Sequence, residues 1–497
     1  MFWADKLLEG REGKEWVNDA WTPSGIIHMG GLKGPVIHDV LCKILKSQGK
    51  DAKYTYGFDD YDPIDGLPQD LQEQLGSYMG IPVYLAPSPD GNGTFGEFYS
   101  NIMRDLFVKL GLSAEIYLAS DYYKAGKYDE AMRYVLDHVE DIRKVYSDMY
   151  GKEMTSDWYP VQVICPECGK LGTTKVTGWD GNEVMFECSK TLVKWAEGCG
   201  MTGKISPFGG NAKMAWKVEW AAKWWTFGVT IEGAGKDHAS SGGSYDIAHK
   251  LITDVFHKEG PLRIPYEFFL YDGKKMSSSK GLGLTGQELL EVIPPEMVKF
   301  LMIKTDPNVA VEFNPFGTQI IPKLFDDYQK AATEFENNEN TDGARAFELS
   351  ALGEIKIPPK FRFLTLAQWV QMPNMEEEIK KEGLEEWAKF ARIWIERFAP
   401  ESDKFLVQKE LPDISSLSDS QKEYLKSLVG LFEAEINAED LQAAIYEKSK
   451  EKELKSVDAF KAIYTAFLGK DHGPKAAWLL QSLDADFVKE RLQESSQ

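Results

Sequence analysis

The 497-residue chain has no apolar run long enough to cross a bilayer. Asp5, Lys6, Glu9 and Arg11 also interrupt the N-terminus where a signal peptide would need an apolar core. A cytoplasmic protein that does not enter the membrane is the expectation. Cationic residues are in deficit: 57 Lys and Arg stand against 78 Asp and Glu, a formal net charge of −21. Binding to DNA in general is thereby excluded, since such affinity comes from neutralising phosphates, and any nucleic acid must meet local basic patches. Cysteine is scarce too. Five in such a length build no disulfide scaffold, and four of them fall between 165 and 199, a clustering that points to metal.

What is present begins with Trp21-Thr22-Pro23-Ser24-Gly25-Ile26-Ile27-His28-Met29-Gly30-Gly31. Pro23 to Gly25 reads as a turn, Gly30 and Gly31 let backbone approach a ligand, and from Lys33 to Lys46 the apolar spacing becomes helical. A helix start offers unpaired N–H groups and the positive end of a dipole, a seat for phosphate. His28 stands at that seat, where an imidazole can donate to a phosphate oxygen as charge builds up. Taken alone, the segment reads equally well as a glycine turn with a surface histidine.

Ala52 to Phe58 alternates as a strand and runs into Asp59-Asp60-Tyr61-Asp62-Pro63, either a ligand-facing edge or a solvated acidic turn. Residues 63 to 100 read as an irregular lid, Phe98 to Leu110 as a helix, Ala114 to Ala119 as a strand and Asp129 to Tyr150 as one long amphipathic helix. Cys165-Pro-Glu-Cys168 forms a knuckle that aims two thiolates at one zinc ion, and Cys188 and Cys199 complete a four-cysteine structural site. Trp216, Trp220 and Trp224 share a helical face, suited to a core or to a binding wall. Thr226 to Ile231 reads as a strand, Glu232 to His238 as a loop at its end and Ser244 to His257 as a helix. This second strand, glycine loop and helix unit places Asp237 and His238 at a ligand edge. Pro265 to Leu270 is a further strand, delivering Lys275-Met276-Ser277-Ser278-Ser279-Lys280, a cation cluster suited to a triphosphate. Beyond Pro322 the pattern is almost wholly helical. The expected fold is α/β: a Rossmann-type nucleotide-binding parallel sheet with a zinc-knuckle insertion, followed by an all-α C-terminal domain.

A His-x-Gly-Gly helix start followed about 250 residues later by a Lys-Met-Ser loop resembles the paired signature of class I aminoacyl-tRNA synthetases. The chain is most similar to the lysine-specific branch, through Thr22-Pro-Ser-Gly, Phe58-Asp-Asp-Tyr-Asp-Pro63, the Cys-Pro-Glu-Cys knuckle, Gly235-Lys-Asp-His238, Lys275-Met-Ser-Ser-Ser-Lys280 and Leu468-Gly-Lys-Asp-His-Gly-Pro474. Two residues depart from the usual motifs. Gly31 replaces a second histidine and Ser278 a second lysine, which throws the loop's charge onto Lys275 and Lys280.

The resemblance implies activation of L-lysine by ATP with Mg2+, then transfer to the 2′-hydroxyl of the terminal adenosine of tRNA(Lys). It implies His28, Lys275 and Lys280 as catalytic groups. ATP would meet Ser24, His28, Gly30, Gly31, Asp237, Met276, Ser277, Ser278 and Ser279. The lysine contacts would come from Thr22, Asp59, Asp60, Trp216, Trp220, His238 and Tyr266, and structural zinc from Cys165, Cys168, Cys188 and Cys199. Residues 1–150 and 211–270 are expected to form the catalytic halves, 151–210 the knuckle insertion, 271–322 the loop and its connection, and 323–497 an anticodon-binding domain, with Lys470, His472 and Lys475 a small basic patch. The alternatives are a sister enzyme for glutamate, which would need a cationic pocket, and a non-catalytic relative that binds tRNA or an amino acid.

Overall fold

The computed structural model describes residues 1–276, 283–433 and 436–497. Ser277, Ser278, Ser279 and Lys280 fall outside the described residues. The chain divides into two compact units: Met1–Leu290 with Pro295–Phe313 and Glu334–Ile355, and Glu291–Pro294 with Asn314–Thr333 and Lys356–Gln497. Among the described residues no helix is long and apolar enough to cross a membrane.

The first unit is built on a five-stranded, all-parallel sheet. Its strands are β1 (Glu15–Trp21), β2 (Ala52–Phe58), β3 (Glu115–Leu118), β9 (Ile231–Gly235) and β10 (Leu262–Tyr266), in the spatial order β10-β9-β1-β2-β3. Helix α1 (Lys33–Ser47) crosses from β1 to β2 and packs on both. The order reverses at β1: its register with β2 runs from Glu15 opposite Ala52 to Trp21 opposite Phe58, while β9 lies on its other side with Val17 opposite Ile231. Such a switch point leaves a crevice at the carboxyl ends of the strands. β1 carries three buried polar residues, Glu15, Asn18 and Asp19. Buried polar groups need partners, and Asn18 finds them across the sheet: its Oδ1 accepts from Thr55 (2.8 Å) and its Nδ2 donates to Glu232 (2.9 Å).

Between β3 and β9 lie helices α2 (Asp129–Asp137), α3 (Val139–Tyr150) and α4 (Trp216–Phe227), and the insertion strands β4 (Val161–Val163), β5 (Thr174–Trp179), β6 (Val184–Cys188), β7 (Thr202–Ile205) and β8 (Ala212–Met214). β4 pairs antiparallel with β8, and β5, β6 and β7 form a separate antiparallel sheet. After β10, β11 (Phe269–Tyr271) pairs antiparallel with β12 (Lys274–Lys275) and parallel with β13 (Val311–Glu312). The turn between β11 and β12 is Asp272-Gly273, both with positive φ (48° and 69°), the geometry a two-residue hairpin of matching twist demands.

Several expected elements are corrected. Asp129 to Tyr150 is two helices, because His138 leaves helical geometry (φ −110°, ψ 28°) while its Nδ1 bonds Tyr134 O at 2.9 Å. Thr226 to Ile231 is not a strand: α4 runs on to Phe227 and ends at left-handed Gly228, so Glu232 to Gly235 belongs to β9 and Lys236–Ala239 is a helical turn. Pro265 to Leu270 is split between two sheets at Glu267. The helix placed at Phe98 begins at Phe95, where Thr94 and Glu97 form a capping box. The expected boundary at 323 falls within the helix Ile320–Glu336. Helix Asp342–Ser350, expected in the C-terminal domain, belongs to the first unit and packs on Pro295–Ile303.

Among the described residues, the α-helices of the second unit from Phe363 to Glu494 run from 6 to 14 residues. Trp394, Tyr424, Ile463 and Leu492 are among its buried residues.

Candidate active site

At the switch point a cavity of about 630 Å³ opens between the ends of β1, β2 and β9, helix α4 and the insertion. Of the residues expected to contact an amino acid, Thr22, Asp59, Trp216, Trp220, His238 and Tyr266 line it, as does Ser24. Asp60 does not. It is buried and accepts from both the backbone N–H (2.8 Å) and the hydroxyl (2.6 Å) of Ser120, so it joins the end of β2 to the chain after β3.

Tryptophans spaced four apart on α4 make a graded stripe. Trp224 is buried, Trp220 half-buried and Trp216 exposed at the cavity. Rings 216 and 220 lie 6.1 Å apart, and rings 220 and 224 lie 5.8 Å apart. His238 stands edge-on to Trp216 and Trp220, at 5.4 and 6.0 Å.

Charges inside the cavity were the least visible feature of the sequence. Two buried lysines answer the acidic end of β2. Lys223 reaches Asp59 (3.1 Å), and Lys213 reaches Asp62 (2.9 Å) and bonds Glu219. Neighbouring carboxylates hold the Lys223 ammonium well above the ordinary lysine range against the opposing effect of burial. Asp62 also accepts from Thr22 Oγ1 at 2.7 Å.

Two further buried carboxylates, Asp19 and Glu232, line the cavity with no Lys or Arg ion pair among the described residues. Glu232 is held by neutral donors: the indole N–H groups of Trp220 (2.7 Å) and Trp224 (2.9 Å), and Asn18. Burial pushes it upward. Asp19 accepts from the Ala20 N–H (2.9 Å), and burial pushes its carboxyl up to about 7. His38 Nδ1 lies 3.5 Å from Asp19, but the two do not form an ion pair. Burial holds the imidazole below its ordinary range, while Nδ1 bonds Gly34 O (2.7 Å) and Nε2 accepts from the Gly233 N–H (2.7 Å), which describes a neutral ring.

His28, Gly30, Gly31, Asp237, Lys275 and Met276 stand outside this lining and gather at the helix start. His28 precedes a 3₁₀ turn, Met29–Leu32, that leads into α1. Its neighbours close around it: His28 bridges to Thr285, Met29 N–H donates to Leu284 O (2.8 Å), and Gly286 N–H to Ile27 O (3.1 Å). Burial, then Lys275, hold His28 below its ordinary range against the opposing pull of Asp237. Its buried Nδ1 meets no partner among the described residues. Lys275 bonds Asp237 and lies 4.6 Å over the Phe268 ring. Met276 is buried against Gly283. A Cβ on Gly30 would stand 3.0 Å from the His28 ring, and one on Gly31 2.6 Å from Ile27. Lys33, which no sequence motif marks, is buried and donates to the carbonyls of Glu267 (3.1 Å), Pro307 (3.2 Å) and Val309 (3.4 Å). It ties α1 to the chain around β11.

The sulfurs of Cys165, Cys168, Cys188 and Cys199 all lie within 4.8 Å of one another, with 3.6 Å between 165 and 199 and between 168 and 188. A tetrahedral thiolate site with ~2.3 Å bonds has sulfurs ~3.8 Å apart, so the four fit one ion.

Residues 2–353 match the family described as tRNA synthetases class I (K), and residues 380–495 match an anticodon binding domain. The chain belongs to the class I (K) tRNA synthetases. It is 31% identical to a lysine–tRNA ligase of Archaeoglobus fulgidus, over 99% of each chain. To one of Methanosarcina barkeri it is 33% identical, over 100% of this chain and 98% of that one. Among solved structures, a glutamate tRNA ligase from Elizabethkingia meningosepticum aligns over 97% of this chain and 99% of that one at 13% identity and a TM-score of 0.45, a likeness too low to carry any argument. In this class I (K) synthetase the expected basic patch is partly committed: Lys470 donates to the carbonyls of Glu401 and Lys404, and His472 Nε2 meets Ser402 O (3.0 Å). Lys475 lies 4.4 Å from the Trp478 ring.

Proposed function

We infer that this chain activates L-lysine with ATP and passes the lysyl group to tRNA(Lys). One observation in the cavity carries the reading: an aromatic wall, Trp216 and Trp220, stands with two buried carboxylates, Asp19 and Glu232, that form no ion pair with Lys or Arg among the described residues. Lysine brings two ammonium groups and an apolar stem, which such a lining complements. Glutamate would need a cation to spare, and Lys213 and Lys223 are both held by carboxylates. The Archaeoglobus and Methanosarcina proteins, similar from end to end, are named lysine–tRNA ligases.

In the first step a lysine carboxylate oxygen attacks the α-phosphorus of ATP, which arrives with its magnesium. A phosphorus–oxygen bond forms, the bond to the bridging oxygen breaks, and pyrophosphate leaves. No enzyme nucleophile takes part, so the work is alignment and the meeting of growing negative charge. His28 donates a hydrogen bond from a neutral ring, and the helix start adds N–H groups. Gly30 and Gly31 admit the nucleotide. Lys275 exchanges Asp237 for a phosphate oxygen, joined by Lys280 and the serines 277 to 279. In the second step the 2′-hydroxyl of the terminal adenosine attacks the lysyl carbonyl and AMP leaves.

Cys165, Cys168, Cys188 and Cys199 would hold zinc, which braces the insertion and leaves no open coordination position for chemistry. The helices from Lys356 onward take the anticodon end of the tRNA, and the reaction belongs to the cytoplasm. Amino-acid-dependent exchange of pyrophosphate into ATP, run with a panel of amino acids and with tRNA present, tests the reading. Exchange with lysine supports it; exchange with glutamate alone, or with none, overturns it.

A further inference from the structure

Part of the cavity lining is assigned above neither to lysine nor to ATP. Trp195, carried on the loop between Cys188 and Cys199, lines it together with Gln162 of β4, Asp62 and Pro63. The indole reaches there because Gly172, four residues past Cys168, has no side chain: a Cβ would stand 2.4 Å from Trp195 Cη2, and Pro63 lies against the same spot. Lys170 fastens the loop by donating to Glu197 O at 2.8 Å. Trp195 is half-buried and leaves part of its ring open. Gln162 Nε2 donates to the carbonyls of Leu171 (3.3 Å) and Thr174 (3.2 Å), which leaves its Oε1 as an acceptor.

We propose that this end of the cavity seats the 3′-terminal adenosine of the tRNA, its base stacked on Trp195 and its amino group donating to Gln162. The inference rests on the proposed charging reaction. A flat aromatic face beside a lone amide acceptor suits an unstacked base, and Asp62 offers an acceptor to a ribose hydroxyl. The four-cysteine cluster acquires a second use, since it holds both ends of the segment that carries the stacking ring.

A binding cycle tests the proposal. Affinities of full-length tRNA and of tRNA lacking the terminal adenosine are measured for the wild-type chain, Trp195→Ala and Trp195→Phe. Removing the adenosine is expected to weaken wild-type binding about tenfold, and to do nothing further in Trp195→Ala. Trp195→Phe is expected to keep most of the effect, and zinc content and melting temperature report whether each variant is folded. Equal losses on removing the adenosine in wild type and Trp195→Ala would overturn the proposal. So would a lysine KM that rises in Trp195→Ala while tRNA affinity holds. A wild-type chain that exchanges pyrophosphate with no amino acid would instead count against the charging reaction itself.

Discussion

His28 and Thr285 face each other across an isolated antiparallel bridge, so the glycine turn ahead of α1 and the chain just beyond the Lys275–Met276 hairpin are paired backbone to backbone. Two segments some 250 residues apart meet there without needing a ligand to draw them together. Lys33, at the start of α1, also bonds the carbonyls of Glu267 and Pro307.

Replacing His28 with Asn should lower the rate of lysyl-adenylate formation by about a hundredfold or more, the loss of ~3 kcal/mol of transition-state stabilisation, with lysine KM little changed. Single-turnover kinetics would show it. A rise in KM at constant rate would assign His28 to ground-state binding instead.

Gly30→Ala tests the same corner by crowding. The added methyl would press on the imidazole at 3.0 Å, and displacing a positioned donor by about an ångström costs about a hundredfold in rate. The melting temperature should stay within a few degrees of wild type, because the backbone at residue 30 does not have positive φ.

Lysine KM should depend on pH through Asp19. Burial raises its carboxyl to about 7, Ala20 N–H and Lys223 pull the other way, and Asp59 adds to the rise. An ammonium binds the ionised form, so below pH 7 binding must expel a proton. KM therefore falls about tenfold per unit as pH rises toward 7 and levels off above it. The sign for stability is opposite. A folded-state value above the unfolded 3.8 means this group's contribution declines between about pH 4 and 7. Asp19→Asn should flatten the KM profile, measured by pyrophosphate exchange.

Purified protein should carry one zinc per chain, and Cys168→Ala should lose it with a melting temperature lower by several degrees, read by metal analysis and calorimetry. Zinc-free wild-type protein of unchanged stability would contradict the assignment.

Much of this arrangement was legible from residue order. The glycine turn, the strand into Asp59, the four cysteines and the spacing of Trp216, Trp220 and Trp224 depend on local pattern, and the structure brings each into the same unit. What stayed hidden was long-range. Lys213 and Lys223 look like surface residues in sequence, yet they are buried because carboxylates 151 and 164 residues away at the end of β2 face them. Asp60 looks equivalent to Asp59 but turns inward to Ser120. The Trp224-Trp225-Thr226-Phe227 run has strand-like composition, but Trp224 belongs to a helical face that bonds Glu232, and that tertiary contact overrides propensity. Periodicity runs unbroken through His138, so a kink made by one backbone leaves no mark on the pattern.

The most direct measurement is a structure of the chain with lysine and a non-hydrolysable ATP analogue. The account predicts that Lys275 leaves Asp237 and that both its ammonium and the His28 imidazole come within ~3.2 Å of oxygens of one triphosphate. A triphosphate bound out of reach of either group would contradict it.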